Sequence, residues 1–182
     1  QVRSRWVQVA GTPPKPELVK ILSFTFPPTS YGVTRAYISN MTKGSTQVEY
    51  PYNLGAYGKV ITTTSPEAQI WFDRGLVWAY SFNHKESIVC FKQALVHDPL
   101  CVMAYWGLAY SLGPNYNQPW DFLGNDLAAV VENTYRAATK ARFLSVKNGN
   151  AVEQALAKAI SARYQSDKPA SMDQYAIQNI AY

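Results

Sequence analysis

The two histidines, His84 and His97, are the side chains best suited to metal binding or acid–base chemistry. The sequence places them at opposite ends of one predicted helix, so about 20 Å separates them at a rise of about 1.5 Å per residue. They therefore cannot share one ion within a monomer. His97 directly precedes Asp98-Pro99, where a histidine at a helix C-terminus interacts favourably with the helix dipole.

A second candidate site lies where the turns between predicted helices come together. If consecutive helices stack in pairs, the turn holding His84 approaches the loop that follows Gly113-Pro114. Amide and imidazole groups on that edge suit a small-molecule or metal-dependent enzyme. The alternative is that these side chains cap helix ends and bond the loop backbone. The edge comprises Asn83, His84, Asn115, Tyr116, Asn117 and Trp120.

Other catalytic signatures are missing from the sequence. It has no GxSxG, GxxxxGK[ST], GxGxxG or HExxH motif, which leaves an enzymatic role unsupported but open. Cys90 and Cys101 lack the spacing of a zinc site and are too few for a disulfide framework. We therefore predict no cofactor, no metal site and a cytoplasmic location in a reducing compartment.

The charge distribution argues against nucleic acid as a partner. Seventeen Lys and Arg residues against twelve Asp and Glu give a formal net charge of +5, and most of the excess lies in residues 1–50. No block of consecutive basic residues occurs, so the basic side chains are interpreted as solvated surface. No apolar run approaches the roughly 20 residues needed to cross a bilayer, so no membrane span is predicted.

Residues 1–64 are predicted to form an irregular N-terminal arm and connector. The proline clusters Pro13–Pro16 and Pro27–Pro28 remove backbone donors and favour extended or turn conformations. Asn40 begins a glycosylation triplet, which matters only in a secreted protein.

Residues 65–182 are predicted to be all-α. Ser65-Pro66-Glu67 has a capping side chain, a proline at the first helical position and an acidic first turn, and Gly113-Pro114 ends a helix sharply. The last helix opens near Ser171 and is still running at Tyr182, so we expect the helical region to continue in a longer chain. The other predicted helices are Pro66–Ser81, Glu86–His97, Cys101–Leu112, Asp126–Val146 and Ala151–Tyr164.

A period of 34 residues relates the first predicted helices. A shift of 34 brings Trp71 onto Tyr105, a large residue onto a large one, and Gly75 onto Ala109, a small one onto a small one. In the second unit, Tyr135 and Ala138 repeat a Phe/Ala pair only if about ten residues are inserted at the loop GPNYNQPWD. The spacings are those of a tetratricopeptide repeat, an α-solenoid of helix-turn-helix units, and are carried in the first unit by Trp71, Gly75, Trp78, Phe91, Ala94 and Pro99.

The chain also resembles a particular group of fungal and bacterial tetratricopeptide-domain proteins. The likeness rests on an LG…ITT lead-in, a WF..GL.W.Y.FNH helix, a DP.C.MAYWG helix and GPNYN in that order. It covers residues 52–120, extends more loosely over 126–182 and leaves out 1–50. The resemblance implies a large helical-repeat protein and says little about its biochemical activity. Gly58 stands where a histidine is expected in this group, which weakens a metal site there.

The first helices of the two units are predicted to line a concave groove. Its apolar and aromatic character favours an apolar peptide or helix over a carboxylate terminus. The sequence thus predicts a scaffold for a protein or peptide partner, with the turn-edge enzyme and a self-associating assembly subunit as alternatives. The groove could instead be filled as core by the arm or by further helices. Its predicted lining is Gln69, Phe72, Leu76, Tyr80, Met103, Trp106 and Tyr110.

Overall fold

The structure, a computed structural model, describes residues 50–182, so the prolines of the arm, Asn40 and the basic residues before Tyr50 lie outside the described part. Residues 50–182 contain no strand, and their all-α prediction is confirmed. Short 3-10 segments at Trp120–Phe122 and Gly124–Asp126 interrupt one loop. The six α-helices are α1 Pro66–Tyr80, α2 His84–His97, α3 Val102–Leu112, α4 Leu127–Asn148, α5 Ala151–Arg163 and α6 Met172–Ala181.

The helices begin at capping side chains. The Ser65 hydroxyl accepts the Ala68 amide at 3.1 Å, in the position that the sequence predicts. Asn150 and Glu153 form a reciprocal capping box at the start of α5, with both bonds 3.0 Å long. Each predicted helix is present with its ends within two residues of the expected ones.

Each helix packs on the next along the chain, and α1, α3 and α5 also pack on one another in sequence. Phe91 of α2 stands at the meeting point of α1 and α3 and is fully buried. A Cβ built on Gly75 would lie 2.7 Å from the Phe91 ring, and one on Gly107 would lie 2.5 Å from it. Two glycines therefore let α1 and α3 close on the two sides of one aromatic ring.

A buried pair of hydroxyl groups supports the same junction. The Ser87 hydroxyl lies 2.7 Å from the Gly75 carbonyl oxygen and 2.9 Å from the Ser111 hydroxyl. Both serines are buried, and both hydroxyls have hydrogen-bond partners. The junction therefore carries no free-energy cost of leaving these hydroxyls unpaired.

Before α1, residues 50–64 form a connector without helix or strand, and its residues 59–61 run antiparallel along that helix. The amide of Lys59 donates to Asp73 Oδ1 at 2.9 Å, and the amide of Ile61 donates to Gln69 Oε1 at 3.0 Å. Gln69 Nε2 returns a bond to the Lys59 carbonyl at 2.9 Å. The Thr62 amide then reaches Glu153 Oε1 at 2.7 Å. The connector thereby ties α1 to the start of α5.

No helix within residues 50–182 combines the length and the apolar character needed to cross a membrane.

Candidate functional site

The predicted groove residues divide into core and surface. Phe72, Leu76 and Met103 are at most 1% exposed, and Phe72 packs on Phe91 with ring centroids 5.6 Å apart. Burial makes these three side chains part of the core, so they are left out of the candidate surface. Tyr80 is 55% exposed, and Tyr110 is partly exposed.

The exposed part is a tyrosine surface, made of Tyr57, Tyr80, Tyr110 and Tyr182. The rings of Tyr57 and Tyr80 meet edge to face at 6.1 Å, and Tyr110 stacks on the Trp106 indole at 5.4 Å. Burial raises the pKa of Tyr80 above 10.0, and the neighbouring phenols of Tyr57 and Tyr110 raise it further. At neutral pH the Tyr80 hydroxyl therefore remains protonated and can donate a hydrogen bond.

Trp106 contributes a stacked but largely hidden ring to this surface. It is 8% exposed, and its Nε1–H is buried without a hydrogen-bond partner. Arg163 lies near Tyr182, with its guanidinium carbon 5.4 Å from that ring centroid. The Arg163 donors bind Asn179 Oδ1 at 2.9 Å and the Pro114 carbonyl at 3.1 Å. The cation at this end is therefore already held by protein acceptors.

The asparagines of the predicted turn edge bond nearby backbone. Asn83 Oδ1 accepts the Glu86 amide at 3.2 Å, and Asn115 Oδ1 accepts the Asn117 amide at 3.0 Å. Tyr116 projects into solvent with 94% exposure. No hydrogen bond or ring contact within residues 50–182 joins Asn83 or His84 to the loop after Gly113.

Trp120 lies against the C-terminal helices. Its ring stacks on Tyr175 of α6 with centroids 3.9 Å apart and planes 8° apart, and it meets Tyr164 edge to face at 6.2 Å. Trp120 is 7% exposed, so the loop between α3 and α4 is anchored by a buried side chain. This packing on aromatic residues near the end of the chain was not predicted from the sequence.

His84 has an unusual environment for a histidine at a helix start. Both ring nitrogens are buried without a hydrogen-bond partner, and burial lowers the pKa of the imidazole. The ring meets Phe82 edge to face at 6.3 Å. Phe82 itself has φ of 60°, in the left-handed region that a bulky side chain rarely adopts. Strained backbone and an unpaired imidazole thus occur together at this turn.

Sequence reasoning missed an aromatic cluster on the other side of α1. Tyr50 meets Trp71 edge to face at 5.4 Å, Tyr52 meets Trp78 at 5.3 Å, and the Tyr50 hydroxyl accepts the Trp78 Nε1–H at 2.6 Å. The guanidinium carbon of Arg74 lies 4.1 Å from the centroid of the Tyr50 ring. The Tyr50-Pro51-Tyr52 triplet was the available signal, but it falls in the connector, where no periodicity indicates which side chains face α1.

Neither cysteine is suited to nucleophilic chemistry. Cys90 and Cys101 are buried and free, and burial raises the pKa of each thiol to about 12. Such thiols stay protonated near neutral pH. Within the described residues, no three His, Cys, Asp or Glu side chains converge as metal ligands.

Comparisons of the chain with protein families, with curated proteins and with solved structures find no match.

Proposed function

We propose that residues 65–182 form a tetratricopeptide-like solenoid that acts as a protein-interaction scaffold. The repeat register supports this arrangement, since Gly75 and Phe91 occupy the expected small and large positions and meet in one contact. The packing of α1 on α3 and of α3 on α5 is that of successive first helices in such a stack. The two free cysteines support a cytoplasmic location as part of the same proposal.

The observation that carries the proposal is the tyrosine surface. Phenol rings combine a large apolar area with a polar hydroxyl, and tyrosine is enriched among the residues that dominate protein–protein binding energies. Tyr57 and Tyr80 are each more than half exposed, although the neighbouring positions Phe72 and Leu76 on α1 are core. An accessible aromatic surface directly over a rigid core suits a partner-binding site.

The connector favours an extended peptide as the partner. Gln69 binds both the amide of Ile61 and the carbonyl of Lys59, as a neighbouring strand would. Gln69 is thus engaged by the chain's own connector, which illustrates that extended backbone fits along this side of α1. We infer that the partner lies on the tyrosine surface beside the connector, with apolar side chains against Tyr80 and Tyr110.

The proposal is tested with defined peptides. Twelve-residue peptides selected from a random library on the purified full chain would be titrated against it by fluorescence anisotropy. Replacing both Tyr80 and Tyr110 with Ala should weaken binding by about 30-fold or more, as expected for loss of a binding hot spot. Trp106 is left intact because its removal would open the core.

The matched control replaces Tyr116 and Phe143 with Ala. Both aromatic side chains are more than 60% exposed and lie outside the tyrosine surface. This double variant should bind the selected peptides with the same affinity as the unaltered protein. Equal affinities of the two double variants would refute the proposal.

His84 supports a second candidate, a small-molecule or metal-dependent enzyme site at its turn. The two unpartnered ring nitrogens favour it, because buried polar atoms without a protein partner often bind a ligand or water. Elemental analysis of the purified protein and of His84→Ala would test it. Bound metal that the variant loses would support the site, and a metal content unaffected by the substitution would argue against it.

A further inference from the structure

A pocket of about 390 Å³ lies between the connector and the adjoining face of α1. Its volume falls within the range of about 300–1,000 Å³ that is usual for small-molecule sites. The pocket is open to solvent on one side, and its walls combine aromatic, aliphatic and charged groups. The residues that matter to the argument are Tyr52, Asn53, Tyr57, Ile70, Arg74 and Val77.

Arg74 supplies the cationic group of this pocket. Its guanidinium carbon lies 4.1 Å from the Tyr50 ring centroid and 4.6 Å from that of Trp71, so two rings fix its position. Arg74 forms no ion pair or hydrogen bond with any residue between 50 and 182. Contacts with ring faces do not use the N–H groups of a guanidinium as hydrogen-bond donors to a protein acceptor, so these groups can bind an acceptor in the pocket.

Asp73, the carboxylate in the pocket wall, is directed at the connector backbone. Its Oδ1 accepts the Lys59 amide at 2.9 Å and Gln69 Nε2 at 3.0 Å. A Cβ on Gly58 would lie 2.9 Å from Oδ2, which places that oxygen directly against the connector. The negative charge is thus satisfied by local donors, and no carboxylate of residues 50–182 pairs with Arg74.

We propose that this pocket binds a small planar anion, an aryl carboxylate. The fork of N–H groups on Arg74 matches the two oxygens of a carboxylate. Tyr52 and Tyr57, each more than half exposed, offer rings on which an aromatic group can stack. Ile70 and Val77 provide the aliphatic wall. The pocket adjoins the tyrosine surface, since Tyr57 belongs to both, but Tyr80 and Tyr110, which carry the proposed peptide binding, do not line it.

The test uses benzoate as the probe, titrated into the full chain by isothermal calorimetry, with benzyl alcohol and inorganic phosphate as comparisons. Saturable binding of benzoate that exceeds both comparisons is expected. Ile70→Glu places a carboxylate one helical turn before Arg74, where it can form an i,i+4 ion pair and compete with the ligand. Ile70 is 49% exposed, so this change should leave the fold intact. Affinity should fall at least about tenfold.

Ile70→Gln is the uncharged comparison: it removes the same aliphatic contact as Ile70→Glu, so any further loss of affinity in Ile70→Glu measures the effect of the added carboxylate. Arg74→Gln should reduce binding by at least about tenfold, whereas Arg142→Gln, at an exposed site on α4, should not. Circular dichroism of each variant would verify folding. The assignment is overturned if benzoate shows no saturable binding, if benzyl alcohol or phosphate binds as well, or if Ile70→Glu and Ile70→Gln bind benzoate equally.

Discussion

Phe91 and Trp120 are both buried aromatic side chains, but Phe91 packs against residues close to it in the sequence and Trp120 against a distant one. Phe91 packs between Gly75 and Gly107, each 16 residues away in the sequence, on the helices that flank its own. Trp120 stacks on Tyr175 across most of the C-terminal half of the chain. The comparison teaches that helices adjacent in the sequence can close on one side chain through short, local spacing, whereas the loop between α3 and α4 depends on a distant side chain that covers it.

Phe91→Ala should have the largest effect on stability. The substitution leaves a cavity between α1, α2 and α3, and comparable changes lower the free energy of unfolding by about 3–5 kcal/mol. Chemical denaturation monitored by circular dichroism would measure the loss. Phe143→Ala, at a side chain that is 64% exposed, is the control and should change stability by less than about 0.5 kcal/mol. Similar losses in both variants would contradict a special role for the Phe91 contact.

Trp120→Ala should have a smaller and more local effect, of about 3 kcal/mol. Loss of the stacked partner leaves Tyr175 uncovered and weakens the attachment of α6. Hydrogen exchange read by mass spectrometry should show α6 losing protection while α1, α2 and α3 keep theirs. Tyr116→Ala, in the same loop but exposed, should leave the exchange pattern unchanged. A uniform loss of protection across all six helices would instead make Trp120 part of the same cooperative unit as Phe91.

Gly107→Ala tests the Phe91 contact by adding a methyl group where Phe91→Ala removes a ring. The new methyl group would press on the Phe91 ring, and overpacking of this kind lowers stability by about 1–3 kcal/mol. In a Phe91→Ala background the same change should become stabilising by up to about 1 kcal/mol, because alanine is the better helix former. A double-mutant cycle by denaturation measures the reversal. Additive effects would show that Gly107 and Phe91 do not interact.

The smallest effect is expected from the protonation of His84. Burial lowers its pKa below 6.5 in the folded protein, so the unfolded chain binds the proton more readily. Stability should therefore fall as the pH drops through about 6.5, until the folded protein is protonated too. Chemical denaturation at several pH values between 7.5 and 5.5 would measure how the free energy of unfolding depends on pH. His84→Gln should make that dependence weaker. His97→Gln, at an exposed position, is the control; an unchanged slope in His84→Gln would reject the assignment.

The candidate sites were only partly predictable. Helical periodicity grouped Tyr80 and Tyr110 with Phe72 as lining of one groove, but it could not separate exposed from buried members, because residues at similar spacing differ in how deeply they lie. That depth is decided by the neighbouring helix, where Phe91 covers Phe72. The pocket at Arg74 was not predictable, since it depends on how the aperiodic connector folds back on α1.

The sequence by itself determined the helices and the junction around Phe91. Caps at Ser65 and Asn150 and the paired break Gly113-Pro114 act within a few residues, and only the short turn between α1 and α2 separates the helices that carry Gly75 and Phe91. Tertiary structure alone decided the position of Trp120, the course of the connector and the exposure of the tyrosines. Those contacts join residues far apart in the chain, and no local propensity or spacing encodes which distant surface will bury a given side chain.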